Sequence, residues 1–171
     1  PYARSKYKAE KTLTEFCRDT GLELVVVRPP LVYGAGVKAK FEQLARWVAS
    51  GKPLPFGALT DNRRSFVSVD NLTDFLLLCA EHEKAPGRAW LVADEAPVST
   101  AQLIEALAKA AGVPVRNWAV PVSLLRAGLA LIGKAGVLKV LDGSLALDIE
   151  DNARILGWRP RESMHDALKK F

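Results

Sequence analysis

The sequence has few of the residues that build redox and metal sites. Its 171 residues include two cysteines, two histidines and one methionine. Cys17 and Cys79 have no paired spacing, so they predict reduced thiols without a disulfide framework. His82 and His165 stand alone near predicted helix ends, which leaves no basis for a metal site. Reduced thiols favour a cytoplasmic protein.

Long uncharged stretches are also absent. The most apolar segment, residues 119–141, is interrupted by Arg126, Lys134 and Lys139. It therefore contains no uncharged run close to the roughly 20 residues that a membrane span needs. We expect a packed helix there and no integral membrane segment. The alternative is a basic, amphipathic helix that contacts a partner or a membrane surface.

Runs of like charge are missing as well. The 24 Lys and Arg residues are spread among 19 acids, for a net charge of +5 and a pI of about 9.3. A nucleic-acid-binding protein usually gathers its cations into a patch, so we predict no nucleic-acid partner. The mild positive balance also suits a small ligand that carries phosphate.

Helices alternate with short apolar strands along the chain. A helix is predicted over 3–20, ending at Gly21, and "LELVVVRPP" after it is typical of a strand buried on both faces of a parallel sheet. Two shorter strands are predicted in "RRSFVSV" and "RAWLVAD". Further helices are predicted at 38–51, from a cap at Asp70 or Asn71, from a cap at Ser99, around 122–141 and on both sides of a Gly-Trp-Arg-Pro turn. This order indicates an α/β fold.

The first helix contains two Tyr-x-x-x-Lys pairs. At 100° per residue, Tyr2 and Lys6 fall at about 20° and 60°, on the apolar stripe, whereas Tyr7 and Lys11 point to the opposite side. The stripe itself consists of Ala9, Leu13, Phe16 and Cys17. An inward amine beside a phenol is costly without a function, and the ammonium would stabilise the phenolate needed for general-base chemistry. Two overlapping copies occur, however, so the spacing alone favours a structural role.

Five segments, taken together and in order, are more specific than the spacing. They resemble the extended short-chain dehydrogenase/reductase family, above all its NAD-dependent nucleotide-sugar epimerases and dehydratases. The segments are Pro1-Tyr2-x-x-Ser5-Lys6-x-x-x-Glu10, "RPPLVYG" (28–34), "RRSFVSVDNLTD" (63–74), "WLVADEAPVSTAQL" (90–103) and "ARILGWRPRESMHDAL" (153–168). The resemblance covers essentially the whole chain.

The resemblance implies the fold and its division. We expect the C-terminal part of a Rossmann-type doubly wound parallel sheet with a small interleaved α+β substrate-binding lobe. Residues 1–34 and 70–96 would be the remnant of the dinucleotide-binding domain, and residues 35–69 and 97–171 the substrate-binding lobe. In the family the glycine-rich dinucleotide loop, the acidic ribose-binding residue and the catalytic Ser or Thr precede the tyrosine. About half a protein is therefore expected before Pro1.

One local match imitates the missing loop. Residues 34–39, "GAGVKA", fit G-x-G-x-x-G/A after a strand and before a helix. Pro29 and Pro30 end that strand several residues earlier, however, and no strand-end carboxylate follows about 20 residues later. We interpret this segment as a loop that leaves the sheet.

The resemblance also implies catalytic and cofactor residues. Tyr2 would take a proton from a sugar hydroxyl while hydride passes to NAD, and Lys6 would hydrogen-bond the nicotinamide ribose. Both residues then belong to the cofactor site, together with Pro29 and Val32, where the strand exit approaches the nicotinamide. A rigid strand exit with a packed valine is the structural alternative for Pro29 and Val32.

The substrate residues follow in the same way. Leu54 and Phe56 are expected to flank the nucleotide base, and Arg64 is expected to bind the diphosphate. An aromatic ring stacks on a base, and a guanidinium binds phosphate bidentately. Arg63 competes for that role, and a surface salt bridge is the structural alternative for either arginine.

The implied function is an NAD-dependent nucleotide-sugar epimerase of the UDP-sugar 4-epimerase type, with NADP as the alternative cofactor. A nucleotide-sugar dehydratase or a 4-ketosugar reductase shares the same residues, and a redox steroid-type dehydrogenase is a more distant alternative. A non-catalytic dinucleotide-sensing or interaction protein is the alternative from another class. Leu31 and Lys40 stand where members often carry Asn, which leaves the sugar open. We expect a homodimer through the Tyr2/Lys6 helix and no activity from this piece alone.

Overall fold

A computed structural model describes residues 2–37, 40–94, 96–131, 133 and 135–170. Within these ranges the chain forms eight helices and four short strands. In chain order they are α1 (Tyr2–Thr20), β1 (Val26–Arg28), β2 (Leu31–Tyr33), α2 (Lys40–Ala49), β3 (Phe66–Ser68), α3 (Val69–Glu81), β4 (Ala89–Leu91), α4 (Thr100–Ala110), α5 (Val122–Leu131), α6 (Ala135–Asp142), α7 (Glu150–Leu156) and α8 (Met164–Lys169).

The strands form two parallel pairs. β1 pairs with β4, with Val27 opposite Trp90, and β2 pairs with β3, with Val32 opposite Val67. The predicted α/β fold with parallel strands is confirmed. The predicted strand in "LELVVVRPP" is present as β1 and ends before Pro29 and Pro30, which lack the N–H groups that a ladder requires, whereas the short strand β2 after the prolines was not predicted.

Burial of the first strand also differs from the prediction. Val26 and Val27 are only half-buried and Arg28 is exposed, whereas a strand covered on both faces was expected. Residues 34–37 follow β2 as a loop, as predicted for "GAGVKA". Residues 38 and 39 of that segment lie outside the described residues.

Two hydrophobic clusters build most of the core. In the first, α4 packs against α2 and α8, and the ring centroids of Tyr33 and Phe41 lie 5.1 Å apart. The second joins β3, α3 and β4 to the turn after α7, where Trp158 contacts Phe75 at a centroid distance of 4.7 Å. Trp158 Nε1 also donates to Asp74 Oδ2 at 2.7 Å. Trp158 thereby packs the Gly-Trp-Arg-Pro turn onto α3.

Helix starts show which local signals are reliable. Ser99 caps α4 as predicted, because its Oγ accepts from the Gln102 N–H while Gln102 Oε1 accepts from the Ser99 N–H. The predicted cap of α3 at Asp70 or Asn71 was wrong. β3 runs directly into this helix, and Ser68 Oγ accepts from the Asn71 N–H at 3.1 Å. Asp70 and Asn71 therefore lie in the first turn.

The apolar segment after residue 120 forms two helices, so the prediction of one helix around 122–141 was wrong. Gly133 lies between α5 and α6 with a φ of 69°, a left-handed conformation that glycine adopts without strain. Leu125 of α5 and Leu138 of α6 pack together with Leu59. No helix in the described ranges is long and apolar enough to cross a membrane.

The first helix is exposed. None of the residues of α1, all of which the structure describes, is buried. Leu13 and Phe16 are exposed and Cys17 is half-buried. The prediction that this stripe is buried is therefore wrong for the chain as it stands, although the stripe is apolar.

Candidate active site

The Tyr2/Lys6 pair lies on one side of α1. Lys6 Nζ is 5.7 Å from the centroid of the Tyr2 ring, as expected for side chains four positions apart on a helix. Tyr2 is 76% exposed, and Lys6 is exposed as well. The ammonium thus lies close to the phenol ring, on the same side of the helix.

An ion pair joins this helix to the first strand. The Arg28 guanidinium donates to both carboxylate oxygens of Glu10, and the distance from Nε to Oε2 is 3.2 Å. The pair is partly exposed and adds little to stability, but its two-point geometry orients α1 against β1. Sequence reasoning missed it, although both residues belong to the motif segments quoted above.

The strand exit presents Pro29 and Val32 differently. Pro29 is exposed, whereas Val32 is half-buried and packs against the cluster that contains Val67 and Phe75. Pro29 is therefore accessible to a ligand. The packing of Val32 agrees with the structural alternative given for it, in which the residue fixes the path of the chain.

A buried polar network lies directly after this exit. The Tyr33 hydroxyl donates to Asp94 Oδ2 at 2.6 Å, and Asp94 Oδ1 accepts from Asn71 Nδ2 at 2.8 Å and from the Ser68 N–H at 3.2 Å. Burial raises the pKa of Asp94, and these three hydrogen bonds lower it only in part. Burial is also the main cause that raises the pKa of Tyr33. The network joins β2, β3, α3 and the segment after β4.

The same network reaches the last helix. Ser68 Oγ donates to Glu162 Oε1 at 2.7 Å, and Lys170 Nζ donates to Glu162 Oε2 at 2.6 Å and to Asp70 Oδ2 at 2.7 Å. The bonds to Asp70 and Glu162 raise the pKa of the Lys170 amine. The chain after α8 is thereby attached to the strand exit, a link that sequence reasoning also missed.

The segment predicted to flank a nucleotide base is held by a neighbouring stretch of chain. Leu54 is buried, its N–H donates to Arg116 O at 2.8 Å, and its carbonyl accepts from the Trp118 N–H at 2.7 Å. Phe56 is half-buried, and its N–H donates to Asn117 Oδ1 at 3.1 Å. Phe56 is thus more accessible to a ligand than Leu54, which supports it from the core.

The two candidate arginines differ in their contacts. Arg63 is exposed and folds onto its own loop, where NH1 donates to Thr60 O at 2.6 Å and to Asn62 O at 3.0 Å. Arg64 is half-buried, and NH2 donates to Gly143 O at 3.1 Å. Its Nε is buried and makes no hydrogen bond to any residue that the structure describes. Since an unpaired buried donor is costly, Arg64 is the one suited to an anionic ligand.

Two cavities lie along the β1–β4 pair. One, of about 630 Å³, is bordered by Trp90, Leu91 and Asn152, and the other, of about 370 Å³, by Val27 and Cys79. Neither is lined by any predicted site residue. The described residues place Tyr2 with Lys6 on α1, and Phe56 and Arg64 on other segments, with neither group in these cavities.

Comparison with known proteins adds a family match. The model of the "NAD dependent epimerase/dehydratase family" matches residues 1–93. The UDP-glucose 4-epimerase of Vibrio cholerae is 40% identical over 169 residues, which cover 99% of this chain and 52% of that protein.

Solved structures agree at the level of the fold. The UDP-N-acetylglucosamine 4-epimerase of Bacillus cereus superposes with a TM-score of 0.76 at 16% identity, covering 99% of this chain and 54% of that one. The UDP-glucuronic acid 4-epimerase of Bacillus cereus, solved in complex with NAD, gives 0.72 at 19% identity and covers 99% and 49%. The chain thus spans about half the length of the relatives it matches, as expected for part of a Rossmann-type fold.

Proposed function

The chain belongs to the NAD dependent epimerase/dehydratase family, and on that premise we propose that it is the C-terminal part of an NAD-dependent nucleotide-sugar 4-epimerase. The family prediction, made from the order of five motif segments, is confirmed. The 40% identity to a UDP-glucose 4-epimerase over nearly the whole chain carries the narrower proposal. The common side of Tyr2 and Lys6 on α1 supports it.

In this proposal each group has one task. Bound NAD would supply the hydride acceptor and donor for the sugar carbon. Tyr2 accepts the proton of the hydroxyl on that carbon and later gives it back. Lys6, which lies beside the Tyr2 ring, donates a hydrogen bond to the cofactor ribose. Pro29, exposed at the strand exit, would contact the nicotinamide, with Val32 packed behind it.

The substrate would lie on the other group of residues. Phe56 offers a partly accessible ring for the base, with Leu54 supporting it from the core. Arg64 offers the diphosphate a guanidinium whose Nε lacks a protein partner in the described structure. A guanidinium can bind phosphate through two parallel N–H groups, which is the contact proposed for Arg64.

Replacing Tyr2 by Phe in the intact protein tests the assignment. With UDP-glucose and UDP-N-acetylglucosamine as substrates, we expect kcat to fall by about 10²- to 10⁴-fold with KM little changed, because only proton transfer is removed. Tyr7→Phe is the matched control, since Tyr7 is 68% exposed on the opposite side of α1. Wild-type turnover in a folded Tyr2→Phe variant would refute the proposed base.

Analysis of the product separates the alternatives. Within the family, a 4-keto-6-deoxy sugar would identify a dehydratase, net reduction of a 4-ketosugar would identify a reductase, and net oxidation of the substrate would identify a dehydrogenase. A dinucleotide-sensing protein would bind NAD and convert no sugar. The homodimer through α1 and the cytoplasmic location stay predictions, as do inactivity of this piece alone and the division at residues 34, 69 and 96.

A further inference from the structure

Glu10 lies one helical turn after Lys6, on the side of α1 that carries the Tyr2/Lys6 pair. At 100° per residue, Tyr2, Lys6 and Glu10 fall at about 20°, 60° and 100° around the helix. The structure describes α1 over its whole length, and none of its residues is buried. Contacts at the surface of α1 therefore hold it against the rest of the chain.

Glu10 is bonded to the residue that precedes the strand exit. Both of its carboxylate oxygens accept hydrogen bonds from the Arg28 guanidinium, with Oε2 at 3.2 Å from Nε. Arg28 ends β1 and is followed directly by Pro29. Among the described residues, this is the one hydrogen-bonded link between a side chain of α1 and another element. The ion pair therefore connects the segment of Lys6 to the segment of Pro29.

The same contact engages a carboxylate that is spaced to pair with Lys6. A Lys and a Glu four positions apart on a helix attract each other. The structure describes both Lys6 and Glu10 and shows no ion pair between them, and Lys6 Nζ lies 5.7 Å from the centroid of the Tyr2 ring. Arg28 binds both oxygens of Glu10, and a two-point guanidinium contact is stronger than a contact with one ammonium. Arg28 thereby keeps Glu10 away from Lys6.

We propose that Glu10 and Arg28 are positioning residues for the reaction, an inference that rests on the proposed function. Lys6 and Pro29 are proposed to contact the nicotinamide and its ribose from two different elements, and the ion pair fixes these elements relative to each other. It also prevents Glu10 from drawing the Lys6 ammonium away from the ribose. Both residues act through Lys6 and Pro29, and neither contacts the reacting atoms.

Exposure separates this role from a contribution to stability. The side chains of Arg28 and Glu10 are 52% and 29% exposed, and ion pairs at such exposure add little to the free energy of folding. A displacement of about 1 Å in the active site, in contrast, can lower a rate by about 10²-fold. We therefore expect variants of this pair to remain folded and to lose turnover.

Replacing Arg28 by Met in the intact protein tests the proposal. With UDP-glucose as substrate, we expect kcat to fall by about 10- to 100-fold, because the released Glu10 carboxylate then attracts Lys6. In calorimetry the Kd for NAD should rise by about twofold or more for the same reason. KM for UDP-glucose should change less, since Phe56 and Arg64 lie on other segments. Wild-type kcat and NAD affinity in this variant would overturn the proposal.

The double variant with Glu10→Gln distinguishes positioning from two independent structural roles. Glu10→Gln alone should lower kcat less than Arg28→Met, because an amide does not attract an ammonium. The double variant should regain at least about threefold of the kcat that Arg28→Met loses, since the released carboxylate is absent. Independent structural roles predict a double variant that is less active than either single variant. A double variant no more active than Arg28→Met would overturn the proposal.

Glu15→Gln and Arg18→Met are matched controls on the same helix. Glu15 falls at about 240°, opposite Lys6, and pairs with Lys11 at 3.9 Å. Arg18 pairs with its neighbour Asp19 at 3.3 Å. Neither residue connects α1 to another element. Both controls should keep the kcat and the NAD affinity of the wild type, and circular dichroism should show that every variant is folded.

The two measurements also separate this inference from the proposed function. An intact wild type that neither binds NAD nor converts the sugar would overturn both together. A wild type that binds NAD without converting the sugar would refute the proposed function, and the Kd values for NAD would then test the ion pair by themselves. Equal Kd values for the wild type and Arg28→Met would overturn it.

Discussion

Asp94 is buried and accepts hydrogen bonds from Tyr33, Ser68 and Asn71, none of which is a cation. Burial raises its pKa, and the charge of Glu162 acts in the same direction. The folded protein therefore binds a proton at pH values where the unfolded chain has released it. The contribution of Asp94 to stability is complete below the unfolded pKa of about 3.9 and is lost as pH rises through the raised folded pKa.

Asp94→Asn should change this pH dependence. The amide is nearly isosteric, and its oxygen can still accept from Ser68 and Asn71, but it cannot ionise. We expect the unfolding free energy of the wild type to fall relative to the variant as pH rises from about 4 through the raised pKa. Urea denaturation of the intact protein over a pH series measures the difference. Asp61→Asn, at an exposed position, should show the wild-type profile, and identical profiles for Asp94→Asn would contradict the argument.

Individual residues could be predicted only where a motif or a local rule names them. The helical wheel and the motif segments indicated Tyr2 and Lys6 on one side of α1, and the structure places them there. The Tyr33–Asp94 hydrogen bond spans 61 positions of sequence. A single sequence carries no signal for such a pair, because its partners become neighbours only when β2 and the segment after β4 are already placed.

At the scale of chain segments, residues 54–57 and the stretch that contains Trp118 hold each other in place. Gly57 donates from its N–H to Trp118 O at 2.9 Å. A Cβ on Gly57 would lie 2.7 Å from Asn117 O, closer than real Cβ atoms approach a backbone oxygen. Only glycine therefore allows the two segments to come this close, and Phe56 is positioned by their contact.

Gly57→Ala should push these segments apart. If Phe56 binds the nucleotide base, KM for the nucleotide sugar should rise by about tenfold with a smaller change in kcat, because the reacting groups are elsewhere. Gly136→Ala is the control, since its added Cβ meets nothing within 4 Å and alanine favours a helix. Steady-state kinetics of the intact enzyme tests this. An unchanged KM in the Gly57 variant would argue against Phe56 as a binding residue.

Element boundaries were predictable where the signal was local. Ser99 with Gln102 three residues later marks the start of α4, and both bonds form. The start of α3 was misassigned because it depends on where β3 ends, which a three-residue strand signals weakly. The apolar run after residue 120 gave no sign of two helices, since Gly133 interrupts it without changing its hydrophobicity.

For the molecule as a whole, the apolar side of α1 is exposed, and the chain spans about half the length of the relatives that it matches. The wheel correctly identified which side of α1 is apolar. The helical wheel could not predict which element packs on that side, because amphipathicity identifies the apolar side of a helix but not the surface that contacts it.

The chain alone should therefore lack a complete cofactor site. In isothermal titration calorimetry we expect no heat of binding from NAD with residues 1–171, and binding of about one NAD per protomer with the intact protein. The reason is that pyrophosphate binding requires a glycine-rich turn at a helix N-terminus directly after a strand, a role that the sequence does not predict for "GAGVKA". NAD binding by residues 1–171 with the affinity of the intact protein would contradict this.

Pro29 and Pro30 do more than separate β1 from β2. Over these two residues the main chain carries two carbonyl oxygens and no amide hydrogen. A polar group that approaches the backbone there can only donate to it. A carboxamide or a hydroxyl meets this condition, whereas a phosphate oxygen finds no hydrogen to accept. The two prolines between β1 and β2 thereby favour a hydrogen-bond donor over an acceptor in any polar group that contacts the backbone there.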